Sequence, residues 1–310
     1  MVRKEELFYS SRDNRTNIHA IKWIPQMKQP QFILQVIHGM AEHIECYDYF
    51  ARYMAEKGVL VVGEDHLGHG GSIGEDGMSG YFCKEDPATV VVRDVHRLKK
   101  MIQEEYPGIP YVILGHSMGS FILRNYLCRY GTGISAAIIT GTAYQEHLLV
   151  RTAKAFTTFL TLFQGERHKS TFIDNMAFGT FNKKIEHPVT KFDWLTKETG
   201  RVNSYIEDPM CGFLFTLNGF YTLFSLIDRL YIDRNLTLMP KKLPIYIASG
   251  SEDPVSNYGK DVARLYEDYQ KMGMKNVTFR LYEGDRHEIL NELDKETIYE
   301  DIFLFLKGVL

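Results

Sequence analysis

The chain predicts an α/β fold, a mostly parallel central sheet flanked by helices and interrupted by one helical insertion. Short apolar runs alternate with longer helical patterns through residues 1–140, the strand signal disappears over 141–238, and the alternation resumes over 239–310. At 310 residues the chain can bury roughly three quarters of its unfolded surface, so its core needs neither disulfides nor a metal.

Taken in order, Leu7–Tyr9 and Ile18–Trp23 read as an antiparallel edge. Phe32–Ile37, Val59–Gly63, Tyr111–Leu114 and Ala136–Thr140 are short, nearly continuous apolar runs, the pattern of strands buried on both faces. Between them, Tyr47–Lys57, Ala88–Tyr106 and Met118–Tyr130 carry helical spacing. Asp86-Pro87 supplies an N-cap followed by proline at the first helical position. From Gly141 to Leu238 aromatic-rich helical segments take over, with Phe156, Phe159 and Phe163 in one and Phe213–Leu230 in another, so residues 141–238 are expected to form a helical cap on a core of 1–140 and 239–310. Strands Ile245–Ala248 and Val277–Leu281, with helices Gly259–Lys271 and Leu293–Leu306, complete that core.

Composition excludes several classes. The net charge of −3 comes from 36 basic and 39 acidic residues, and the basic pairs are scattered, so no nucleic-acid footprint is present. The four cysteines, Cys46, Cys83, Cys128 and Cys211, lie far apart without CxxC spacing, which argues against a disulfide framework and a zinc site. Met1–Glu6 is not followed by the apolar core of a signal peptide, and no apolar run approaches the ~18 residues of a membrane span. A cytoplasmic location is the expectation.

Gly115-His116-Ser117-Met118-Gly119 follows an apolar run and opens a helical pattern, the context of a nucleophile elbow. A sharp strand-to-helix turn pushes such a serine outward, and flanking glycines avoid clashes in the bend. Gly70-Gly71-Ser72-Ile73-Gly74 matches the same pattern but lacks a preceding strand and reads as a structural loop. Serine needs a base and a group that orients it, in the chain order Ser, acid, His, each in a loop after a strand. Asp253 and His287 satisfy that order; Glu252 lies one position early, and Asp285 sits in the histidine's own loop. Backbone N–H groups of Met118 and Met40 are the expected oxyanion donors. Asp65, His66 and His69 resemble a metal cluster but occupy a glycine loop, so they are read as structural, with no metal.

His38-Gly39-Met40-Ala41-Glu42-His43, Asp65–Ser72, Gly115–Gly119, Asp253 and His287 together resemble the monoacylglycerol lipase and lysophospholipase branch of the α/β-hydrolases. The resemblance spans nearly the whole chain, and Asp208-Pro209-Met210-Cys211-Gly212 resembles that branch's cap motif. It implies an α/β-hydrolase fold with an inserted cap, no cofactor, and hydrolysis of a small, lipid-like ester through an acyl-enzyme. It further implies an apolar passage under the cap, lined by Phe215, Leu223, Phe224 and Val255, and transient contact of the cap with a membrane surface. A short-chain esterase, or an aminopeptidase-like amidase on the same scaffold, is the alternative, and a non-catalytic receptor is the remotest. One position departs from the pattern: the branch usually has arginine three residues after the HGxxEH histidine, and here Cys46 stands there.

Overall fold

The computed structural model describes residues 2–310 except Lys28 and Asp76, and gives only the backbone of Asp233 and Arg234. The chain begins with an antiparallel pair, β1 (Arg3–Ser10) and β2 (Asn17–Ile24), in which Arg3 faces Ile24 and Ser10 faces Asn17. β1 is longer than its apolar run because an edge strand tolerates charges: Lys22 of β2 bridges Glu5 at 3.3 Å and Glu105 at 2.9 Å.

β3 (Ile33–Ile37), α1 (Asp48–Glu56), β4 (Leu60–Glu64), α2 (Pro87–Glu105), β5 (Tyr111–His116), α3 (Met118–Tyr130) and β6 (Ala136–Thr140) follow, within a residue or two of the expected bounds. α2 starts at Pro87 as expected, but Asp86 does not cap it. Asp86 adopts a left-handed backbone (φ 42°), and its carboxylate pairs with Arg229 at 2.5 Å. After β6 come α4 (His147–Gln164), α5 (Thr171–Phe178), α6 (Thr199–Glu207), α7 (Leu217–Asp228) and α8 (Asp233–Leu236), and then β7 (Ile245–Gly250), α9 (Lys260–Lys271), β8 (Val277–Tyr282) and α10 (Lys295–Val309).

The eight strands form one sheet in the order β1-β2-β4-β3-β5-β6-β7-β8. From β4 to β8 every pairing is parallel. α1 and α10 cover one face, and α2, α3 and α9 the other, each burying an apolar cluster against fully buried strands. β3 and β5 are neighbours, and the connection leaving β3 runs to β4 on one side whereas that leaving β5 runs to β6 on the other. This is the switch point at which open parallel sheets leave a crevice at their carboxyl ends. Among the described residues, no helix is long and apolar enough to cross a membrane.

Candidate active site

Ser117 sits at the tip of the turn from β5 to α3 with φ 52° and ψ −121°, a conformation disfavoured for a residue with a Cβ. Its N–H donates to the Thr140 carbonyl at 3.0 Å, anchoring the turn to β6. The flanking glycines are required sterically. A Cβ on Gly115 would stand 2.4 Å from the Gly119 carbonyl oxygen, and one on Gly119 would stand 2.1 Å from that of Ile37. The register that sets Ile37 opposite Gly115 carries the loop after β3 past the serine, where a Cβ on Gly39 would come within 3.2 Å of Ser117 Cβ. Met40 and Met118 therefore flank Ser117 on the wall of the same cavity. Ser72 of the rival pattern is fully buried, its Oγ accepting the His19 N–H at 2.8 Å.

His287 and Asp253 approach from the loops after β8 and β7. His287 Nδ1 lies 3.0 Å from Asp253 Oδ1, and both side chains are buried. The Asp253 carboxylate also accepts the Val255 N–H at 2.8 Å and the Ser249 hydroxyl at 3.2 Å, so hydrogen bonds compensate for its burial. Gly141 (φ 56°) lets the two rings past: a Cβ there would stand 2.8 Å from Cε1 of both His287 and His116. The competing carboxylates point elsewhere. Glu252 pairs with Lys197 at 2.9 Å. Burial, reinforced by Asp294 and Glu292, pushes the Asp285 carboxyl up to about 7.

Ser117 and His287 open onto a cavity of about 660 Å³ whose wall is mostly apolar. Leu223 and Phe224 of α7, and Val255, line it as expected. Phe215 does not. Its ring is fully buried beside His69 (5.3 Å), Phe82 (5.9 Å) and Phe220 (5.9 Å), while Phe213 and Leu214 take the wall positions. The loop entering α7 has no repeating period, so spacing could not tell these neighbours apart. The segment between β6 and β7 contributes Leu149, Val150 and Phe156 from α4 and Phe178 from α5.

The wall behind the loop after β3 is polar and largely escaped sequence reasoning. Arg201 of α6 reaches Glu288 at 3.0 Å and Glu42 at 3.8 Å. Glu42 accepts the Gly39 N–H and the Tyr47 hydroxyl, and burial pushes its carboxyl up to about 8. The only available signals were adjacency, Glu288 beside His287 and Glu42 within HGxxEH. His38, His66 and His69 pack together, with ring centroids 4.0 Å apart for the first pair and 5.2 Å for His38 and His69. Burial holds His66 down at about 3 and His69 at about 4, so both rings are neutral. Asp65 turns away from them to His19 (2.8 Å) and the N–H groups of Ile44 and Gly71. These residues brace the loop that carries Met40.

Residues 205–212 grip that loop directly. The Gly212 N–H and the Tyr205 hydroxyl both donate to the Ala41 carbonyl at 2.9 Å, and His43 Nε2 meets Asp208 Oδ2 at 2.9 Å. Two cysteines distant in sequence also converge here: the sulfurs of Cys46 and Cys211 are 3.6 Å apart, and both thiols are free. A hydrogen bond from Cys211, with His43 and Arg201 nearby, holds the Cys46 thiol well below its ordinary range, while Cys211 is raised correspondingly.

The sheet order, the elbow and the loops converging on it define an α/β-hydrolase. Residues 28–294 match the family described as serine aminopeptidase, S33, and the chain belongs to that family. It is similar to human monoglyceride lipase, 26% identical over 278 residues that cover 86% of this chain and 79% of the human one. Monoacylglycerol lipase of Mycolicibacterium smegmatis is 25% identical over 288 residues, covering 90% and 89%. Among solved structures, a highly thermostable carboxyl esterase from Bacillus coagulans in complex with glycerol superposes with a TM-score of 0.89 at 28% identity, over 100% of this chain and 99% of that one. With this fold and these relatives, the protein is a serine hydrolase that cleaves carboxylic esters.

Proposed function

We propose that the protein hydrolyses esters of a medium or long acyl chain with a small polar head, of the monoacylglycerol or lysophospholipid type, with Ser117, His287 and Asp253 as its catalytic triad. His287 takes the proton of Ser117 as the hydroxyl attacks the ester carbonyl, and then gives it to the leaving alcohol. A water molecule, deprotonated by the same ring, releases the acid from the acyl-enzyme. Asp253, bound to Nδ1, holds the tautomer in which Nε2 can accept that proton. The N–H groups of Met40 and Met118 receive the oxyanion.

The observation that carries the substrate class is the roughly 660 Å³ cavity behind Ser117, walled by Phe213, Leu223, Phe224 and the cap's Leu149 and Phe156. Such a wall offers an acyl chain burial and offers a charged peptide terminus little. Glycerol in the complex of the Bacillus coagulans relative fits a glyceryl head group at the polar end. Residues 141–238 are the cap in this reading, and the four free cysteines support a reducing, cytoplasmic workplace.

A panel of monoacylglycerols, lysophospholipids, p-nitrophenyl esters and aminoacyl amides, assayed side by side, tests the proposal. Fatty-acyl esters should be turned over fastest; a preference for aminoacyl amides would replace the lipase reading with a peptidase. Ser117→Ala, Asp253→Asn and His287→Ala should each lower turnover on the order of a thousandfold or more without unfolding the chain. Ser72→Ala should keep catalysis and lose only about 1–2 kcal/mol of stability, because the half-buried His19 N–H would lose its acceptor. Loss of turnover in Ser72→Ala with full activity in Ser117→Ala would reverse the assignment.

A further inference from the structure

The junction between the cap motif and the loop after β3 gathers three soft-metal donors. A ring nitrogen of His43, Sγ of Cys46 and Sγ of Cys211 all lie within 4.8 Å of one another, and among the described residues no other trio of possible ligands is so arranged. The sulfurs stand 3.6 Å apart. Two thiolates on one tetrahedral zinc, each at ~2.3 Å, are separated by about 3.8 Å, so this pair already sits at a ligand edge. A disulfide would require closure to ~2.0 Å.

The third donor has the support that metal-binding histidines have. His43 Nε2 is held by Asp208 Oδ2 at 2.9 Å, which fixes the ring and leaves Nδ1 for an ion. The backbone keeps the donors in place from both sides. Cys46 N–H donates to the His43 carbonyl at 3.1 Å at the start of a 3-10 helix, and Cys211 N–H donates to the Asp208 carbonyl at 3.0 Å in a turn. His43 and Cys211 are buried whereas Cys46 is only partly so, which leaves a route from solvent by which a water would complete the ligand set. None of the three donors lines the substrate cavity.

We propose that His43, Cys46 and Cys211 form a zinc site, with Asp208 as the carboxylate behind the histidine, that fastens the cap motif to the core. Binding forms two Zn–S bonds and one Zn–N bond and releases to solvent the protons those groups hold. The site depends on Cys46, at the position where the resembled branch usually carries arginine, so the same exchange that removes a guanidinium completes a ligand set.

The test uses the full chain, reduced with a phosphine, stripped with a chelator and desalted before zinc is added. Equilibrium dialysis should give one tightly held zinc per chain, and zinc should raise the melting temperature. Cobalt(II) in its place should show thiolate-to-metal charge transfer. Cys46→Ser and Cys211→Ser, each checked for folding by circular dichroism, should lose the stoichiometric metal. Asp208→Asn should keep it with affinity weakened about 10–100-fold. Wild-type chain without bound zinc, folded Cys46→Ser that retains a full equivalent, or cobalt without sulfur ligation would each overturn the site. Metal content is read without turnover, so the result is independent of the triad and of the substrate.

Discussion

Ser117 holds a backbone conformation that costs a non-glycine residue about 1–3 kcal/mol, maintained by the Thr140 carbonyl and by glycines that admit no Cβ. Strain of this kind points the hydroxyl into the cavity instead of along the helix. Glu64, the last residue of β4, shows a second local conflict. It is fully buried, it receives only the Gln35 amide at 3.1 Å, and its Oε1 has no partner among the described residues. Burial, with Asp94 nearby, pushes its carboxyl up to about 8. Because the folded chain holds this proton more tightly than the unfolded chain, the stabilisation is complete below the unfolded value of about 4.5 and is lost as pH rises to about 8. Glu64→Gln removes that term. Denaturant titrations across this range should show the variant gaining on wild type by up to ~1.4 kcal/mol per pH unit; parallel profiles would mean that Glu64 is ionised in the folded state.

At the scale of elements, α4 and α7, both between β6 and β7, divide the work of walling the cavity. α7 is buried along nearly its whole length and packs on α2, α3 and α4, whereas α4 lends one face to the cavity and leaves another exposed. Each methylene buried along their shared wall should contribute about 0.8 kcal/mol. Catalytic efficiency should therefore climb with acyl length from acetyl until the cavity is filled or diffusion limits the rate. Phe213→Glu or Leu223→Glu should depress long-chain esters more than acetyl esters; a profile flat from two carbons upward would mean a short-chain esterase. The position of Ser117, Asp253 and His287 was legible because the rule that finds them uses only strand order and loop position, both written as apolar runs. The partners of Arg201 were not legible, since α6 meets Glu42 and Glu288 only through packing. Cys46 and Cys211 likewise meet across 165 residues of chain. Phe215 and Phe213 exchange roles because two residues in an aperiodic loop carry no phase.

For the whole molecule, the exposed side of α4 is unusual. Leu148 (78% exposed), Leu162 (76%) and Phe163 (73%) stand in solvent on a helix that also walls the cavity. A lipid surface would cover such a face and present esters beside the cavity. Phe163→Glu with Leu162→Glu should weaken sedimentation with phosphatidylcholine vesicles and slow hydrolysis of monoacylglycerol carried in them. Turnover of a dissolved p-nitrophenyl ester should be unchanged. Equal loss on both substrates would place these residues in folding or catalysis.

The grip of the cap motif on the Ala41 carbonyl bears on how this architecture can diversify. Tyr205 and Gly212 are tied to the loop after β3, so a change there should be felt at the Met40 N–H proposed to receive the oxyanion. α4 and α5 shape the cavity farther along its wall. New substrate ranges are therefore best sought by grafting residues 147–178, while residues 205–212 should be left together with the loop they hold.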